Sequence, residues 1–247
     1  MAVIPLSLRP ARSPAYFVRL AETPDDVRRA QRLRFEVFNL ELQEGLESSF
    51  ATGLDIDPFD TFCDHLLVEH GPTRELVGTY RLQTGPQAAA GLGYYSEQEF
   101  DFRPFEPLRT QMVELGRACV HRDHRSMLVI ASLWRGIADY ARHHGGRYLI
   151  GCSSLTSQDP AEAAAVYHRL AAHHLVAPPW RTRPHPTFHC PRVEPGDPTT
   201  PAPRLLLAYL GLGAKICGEP ALDRQFKTID FLTFLDLNDL APGAHRF

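Results

Sequence analysis

Residues Val113–Arg142 read VELGRACVHRDHRSMLVIASLWRGIADYAR and divide into a short strand, a tight turn and a long helix. In Val113–Val120 the apolar residues Val113, Leu115 and Cys119 fall on alternate positions, as a half-buried strand requires. Glu114 and Arg117 interrupt it three residues apart, a spacing that on a regular strand sends two side chains to opposite faces. A bulge at Gly116 brings both to one place, and an isolated glycine in a strand is a common mark of one. A bulge also frees a backbone N–H from the ladder, and such a donor can hold a developing oxyanion. From Ser126 the pattern changes: Val129, Leu133, Ile137 and Tyr140 step by three or four, which predicts a helix to His143 packed on a sheet and ended by Gly145-Gly146.

Working outward, Tyr16–Ala21 reads as a first strand, after an extended arm over 1–15. Thr23-Pro24-Asp25-Asp26 is a helix start, with a Thr cap, Pro in the first turn and acids at the positive end of the dipole. That helix should run to about Leu42, with Val27, Ala30, Val37 and Phe38 on one face. Arg34 stands inside the apolar stripe. Burying it is costly without a partner, so it either pairs with a carboxylate, binds a ligand, or lays its stem on apolar surface with its head in water. The next loop carries Asp55, Asp57, Asp60 and Asp64. These acids suit a cation through oxygen ligands, helix caps and turns, or the amino group of a zwitterionic substrate. His65–Glu69 and Leu76–Leu82 form a hairpin, with Arg81 near its end. Tyr94, Tyr95, Phe100, Phe102 and Phe105 wall either an apolar slot or a satellite core.

Beyond the long helix, Arg147–Ser154 is a buried strand, Asp159–His174 a helix bearing Tyr167, and 177–203 a proline-dense irregular segment. A short helix over Leu205–Ala214 and a strong strand over Ile229–Leu237 close the order, which describes a mixed α/β sheet with helices on its faces. The length of 247 residues and 44% hydrophobic content suit a globular chain with a real core. A net charge of −3 gives no reason to expect nucleic acid. Five cysteines without a Cys-x-x-Cys pair point to reduced thiols and a cytoplasmic setting. No secretory leader and no membrane span are expected, whereas contact with a membrane surface is compatible with the composition. His185, His189 and Cys190 have metal-like spacing, but their prolines break any helix and no further ligand pair is present, so no metal is expected. Cys152-Ser153-Ser154 lacks the glycines of a nucleophile elbow.

The set LRFEVF (33–38), DPFDTFCDHLLV (57–68), VGTYRL (77–82), YYSEQEFDF (94–102), ELGRACV (114–120) and LGAKICGEPALDRQFKTIDFL (212–232) resembles the GNAT acyltransferase superfamily. The resemblance is strongest to its ornithine-lipid acyltransferase branch, called haemolysin-like in genomes and related to N-acyl amino acid and acyl-homoserine-lactone synthases. It implies one domain over 16–247 with a twisted, mainly antiparallel sheet and a bulged central strand. It also implies a polar acceptor site from Arg34, Phe38, Asp57, Asp60, Arg81, Glu114 and Arg117. Cys119, Val120 and His121 would lend backbone to a pantetheine arm, and Tyr167 would protonate the leaving thiolate. In acetyl-CoA users a glycine-rich turn cradles the pyrophosphate. Here that turn reads Arg122-Asp123-His124-Arg125-Ser126-Met127-Leu128, without glycine. The expectation is therefore a donor thioester on acyl carrier protein, with acyl-CoA second, and Arg122 and Arg125 meeting its single phosphate or the acidic carrier; a merely solvated turn is the plain alternative. Glu114 is the expected base and an amino acid, ornithine first, the acceptor, with no bound cofactor. The rival expectations are a lactone-signal synthase and a non-catalytic acyl-binding module.

Overall fold

The computed structural model describes residues 15–240, so all but the last residue of the expected 1–15 arm lies outside the described residues. In chain order the elements are β1 (Tyr16–Leu20), α1 (Pro24–Phe35), β2 (Asp64–His70), β3 (Leu76–Thr84), α2 (Gly85–Ala90), β4 (Met112–Val120) and α3 (Met127–His143). There follow β5 (Tyr148–Leu155), α4 (Pro160–His174), α5 (Arg204–Gly211), β6 (Lys215–Ile216), β7 (Ala221–Asp223) and β8 (Thr228–Asp236). The strands form one sheet in the order β1-β2-β3-β4-β5-β8-β6, with β7 also on β8. Every pairing is antiparallel except β4 with β5.

The predicted Thr23 cap holds, and the expected helix starts Ser126 and Asp159 are caps as well. Thr23 accepts from the Asp26 amide, Ser126 from the Val129 amide and Asp159 from the Ala161 amide. Strand alternation divides the core. Leu66 and Val68 meet Val129, Leu133 and Ile137 of α3 on one face, while Leu67 meets Ala30 and Leu33 of α1 on the other. Burying each such side chain is worth roughly 1.5–3 kcal/mol. The aromatic run divides: Tyr94, Phe100, Phe102 and Phe105 pack as core with Ile150, Leu232 and Phe234, while Tyr95 lines the cavity described below. Three elements were not visible in the sequence: the six-residue α2 and the two short strands β6 and β7.

α1 continues to Glu41 as a π-helical turn. The wider turn brings the consecutive residues Val37 and Phe38 into the same apolar cluster. The bulge in β4 falls one residue later than expected. Gly116 keeps its place opposite Arg81, Cys119 sits opposite Thr79, and Arg117-Ala118 together face Tyr80. The left-handed residue is Arg117, at φ 50°. That conformation costs a non-glycine residue roughly 1–2 kcal/mol. The carboxylates that hold the Arg117 guanidinium offset it.

β4 and β5 run together only over Met112–Glu114 and Tyr148–Ile150. A Cβ on Gly151 would sit 2.2 Å from the Leu115 carbonyl oxygen, so glycine lets the strands meet at their last point of contact. Beyond it they part, because β5 follows β8 while β4 follows β3.

Candidate active site

The parting of β4 and β5 opens a cavity of about 670 Å³. Val37, Phe38, Leu42, Leu115, Val120 and Phe226 give it apolar wall, and Glu44, Arg81, Glu114, Arg117, Arg125, Arg204, Asp223 and Asp230 give it charge. The expected contributors Phe38, Arg81, Glu114, Arg117, Cys119, Val120 and Arg125 all reach this lining.

A buried ionic network backs one wall. Arg34, 1% exposed, donates to both Asp60 oxygens at 3.0 and 2.7 Å, and its Nε lies 2.8 Å from Asp55 Oδ2. Arg81 donates to both Asp57 oxygens at 2.6 Å and to Asp60 at 3.2 Å. Arg117 donates to Asp57 at 2.7 Å and stands 3.4 Å from Asp55. Three guanidinium groups thus alternate with three carboxylates, and Gln31 adds a 2.8 Å bond to Asp60. Burial alone would raise Asp57 and Asp60. The arginines outweigh it and hold both carboxyls below their ordinary range. The Arg81 and Arg117 guanidinium groups also lie 5.4 and 5.0 Å from the centre of the Tyr95 ring, and Arg117 lies 4.4 Å from that of Phe226.

This arrangement corrects part of the expectation. Arg34, Asp57 and Asp60 do not line the cavity; they saturate one another behind it. The aspartates are therefore counter-ions that fix Arg81 and Arg117, not a free acidic site for an amino group. Asp57 also caps the 3-10 turn 58–61 through the Phe59 amide.

Glu114 is buried at the cavity wall. Its two oxygens accept from the Tyr95 amide at 2.7 Å and the Ser96 amide at 2.8 Å. Burial raises its pKa, the Ser96 and Tyr95 hydrogen bonds pull it down, and the net direction is upward. Tyr167 departs from expectation. It lies on α4 outside the cavity lining and packs on the cluster built from α4, α5 and β8. The register of α4 turns it away from the gap between β4 and β5.

At the turn before α3, Arg125 reaches the cavity but is held by both Glu41 oxygens at 2.6 and 2.8 Å. His121 and Arg122 do not line the cavity, because the chain turns outward in a 3-10 turn over Arg122–His124. His185 gives its Nε2 to the Glu97 carbonyl oxygen at 3.2 Å, which places it in the packing of the proline-dense segment.

Four acids at the cavity were not singled out in the sequence. Asp230 lines it, with Glu99 and Cys152 alongside, and one donor atom of each lies within 4.8 Å of the others. Glu44 and Asp223 line it as well. Burial pushes Asp230 up to about 6 and Glu44 up to about 7, and it raises Glu99 well above the carboxylate range. The one available signal was Asp230 itself, a charged residue inside the apolar strand IDFLTFLDL.

The acetyltransferase (GNAT) domain family matches residues 33–135. The chain is 33% identical over 243 residues to the L-ornithine N(alpha)-acyltransferase of Brucella abortus, covering 91% of this chain and 85% of that protein. It is 31% identical over 258 residues to the enzyme of the same name from Rhodobacter capsulatus, covering 100% and 96%. Among solved structures, the AHL synthase LasI superposes with a TM-score of 0.53 at 13% identity, over 90% of each chain. FeeM, an N-acyl amino acid synthase from uncultured soil microbes, gives 0.53 at 14%, over 91% of each. At those identities the two structures speak for the fold.

Proposed function

Because the chain belongs to the GNAT-fold L-ornithine N(alpha)-acyltransferases, we propose that it moves a long fatty acyl chain, plain or 3-hydroxylated, from acyl carrier protein to the α-amine of ornithine. The observation that carries this reading is the cavity where β4 and β5 part, because it joins apolar wall to fixed charge beside a bulged strand. The acyl chain would lie on the wall of Phe38, Leu42, Leu115 and Val120. Its thioester carbonyl would meet the amides freed around Gly116–Ala118, which stabilise the oxyanion. The amine attacks that carbonyl carbon, the C–S bond breaks, and the sulfur leaves as the carrier's thiol. An α-amine is largely protonated at neutral pH, so a base must take a proton. Glu114 is the base of this proposal. Each of its oxygens spends one lone pair on a backbone amide and keeps another, and its upward shift suits the task.

Two features support a carrier-protein donor. The turn before α3 has no glycine, and Ser126 already occupies an amide at the helix start. A nucleotide pyrophosphate would need those amides. A long-chain product favours contact with a membrane surface, and among the described residues no helix is long and apolar enough to cross a membrane.

The test offers the purified protein 3-hydroxyacyl-carrier protein or the matching acyl-CoA, with single amino acids, and identifies amides by mass spectrometry. N-acylornithine formed from the carrier-bound donor is the expected product. No amide from any amine would leave an acyl-binding module. A product formed only with a lactone-forming acceptor would make the chain a signal synthase. Glu114→Gln should lower turnover by about 100-fold with carrier binding retained, and full activity would remove Glu114 from the role.

A further inference from the structure

The acids around the cavity are not met by its arginines: Arg204, which also lines it, is exposed. The inner arginines are committed, Arg81 to Asp57 and Asp60, Arg117 to Asp57 and Asp55, and Arg125 at the turn to Glu41. Among the described residues no basic side chain comes within ion-pair distance of Glu44, Glu99, Asp223 or Asp230. Asp223 is occupied by the Gln225 and Phe226 amides. Glu44 accepts from the Thr156 hydroxyl at 2.8 Å. Asp230 is different: it is 3% exposed, it lines the cavity, and its Oδ1 has no hydrogen-bond partner. Glu99 beside it is 1% exposed, and its Oε1 has no partner either.

Native proteins rarely leave buried carboxylate oxygens unused, and an unpaired buried charge is among the most costly features a fold can carry. We propose that Asp230 and Glu99, with Glu44 nearby, form the seat for the side-chain ammonium of the acceptor, so that they select a diamino acid over a monoamino one. This rests on the acyltransferase reading of the same cavity. The α-amine has to lose its proton to react, but the second amine keeps its charge. An ammonium brings three N–H donors and no acceptor. Asp230 in the lining and Glu99 directly behind it each have one oxygen without a donor, Oδ1 and Oε1. Alone, the two carboxyls relieve their repulsion by holding a proton, in keeping with the upward shift of both. An arriving ammonium lets that proton go.

A divalent metal ion is the competing occupant, since one atom each of Glu99, Cys152 and Asp230 could ligate it. Cys152 donates its thiol hydrogen toward Glu99 at 3.7 Å, an arrangement that needs no metal ion, and the chelator and zinc arms of the experiment separate the two occupants.

The experiment compares kcat/KM for ornithine and for norvaline, which is ornithine without its side-chain nitrogen, in the wild type, Asp230→Asn, Glu99→Gln and Glu44→Gln. Asp230→Asn and Glu99→Gln should cut the preference for ornithine over norvaline by about 100-fold, the scale of a lost charged pair in a buried site. Glu44→Gln should cut it less. Asp230→Asn and Glu44→Gln should melt no lower than wild type at pH 8, where each removes a buried charge that no cation meets. A parallel loss on both acceptors, an unchanged preference, or melting points of Asp230→Asn and Glu44→Gln below wild type at pH 8 would overturn the assignment. So would a chelator-sensitive rate restored by zinc, which would place a metal ion there. A wild type inactive on every amine would instead defeat the acyltransferase reading itself.

Discussion

Replacing Glu44 by Gln should stabilise the protein, and by an amount that depends on pH. Glu44 is 6% exposed, and burial raises its carboxyl from an ordinary 4.5 to about 7. Three groups act on it: the Thr156 hydroxyl as donor, Asp230 as a like charge and Arg117 as a partial offset. Because the folded value lies above the unfolded one, the folded state holds this proton more tightly. Its contribution is fully present below about pH 4.5, is lost as pH rises through 7, and is gone above that. At about 1.4 kcal/mol per pH unit, the window of 4.5 to 7 amounts to about 3 kcal/mol at pH 8. Gln keeps the shape and still accepts from Thr156, but it carries no charge. Urea unfolding of both proteins at pH 5, 6.5 and 8, without substrates, reads the effect. The variant should be more stable by under about 1 kcal/mol at pH 5 and by about 3 kcal/mol at pH 8. In thermal melts that corresponds to about 6–12 °C for a chain of this size. A difference that does not change with pH, or a less stable variant at pH 8, would refute the argument that Glu44 is buried without a cation.

Three further outcomes follow from the geometry. Asp60→Asn strips Arg34 of its bidentate partner inside the core and should cost about 3–5 kcal/mol in urea unfolding; a loss under about 1 kcal/mol, the scale of a surface ion pair, would mean the network does not hold the wall. Gly151→Ala places a methyl 2.2 Å from the Leu115 carbonyl oxygen, which is backbone and cannot swing aside. It should lower stability by about 1–3 kcal/mol or more, and an unchanged melting point would show that the strands have room there. Tyr167→Phe should leave turnover within about twofold of wild type, whereas loss of a general acid costs about 100-fold or more; a loss on that scale in the rate assay would bring Tyr167 to the chemistry.

The sequence by itself determined the order of the main helices and strands, all but α2, β6 and β7, and the strand at the centre of the sheet. Local signals decide such things: Thr23 as a cap, Ser126 and Asp159 as helix starts, the three-four step of α3, and the two-residue alternation of β4. It also singled out Arg34, Arg81, Glu114 and Arg117, because charge inside an apolar pattern must be answered by something. What answers it is a long-range fact. Arg34 and Asp60 are 26 residues apart, and Arg117 and Asp57 are 60 apart. Only the packing of α1, the aspartate loop and β4 decided that these groups neutralise one another and leave the cavity to others. The bulge was legible, but its position was not, since Arg117 takes the left-handed turn only because distant carboxylates hold its head. Glu44, Glu99 and Asp230 gave no collective signal, being separated by 55 and 131 positions. A sheet that parts between β4 and β5 brought them to one wall, and their burial there without a cation is a property of the folded surface that no single segment encodes.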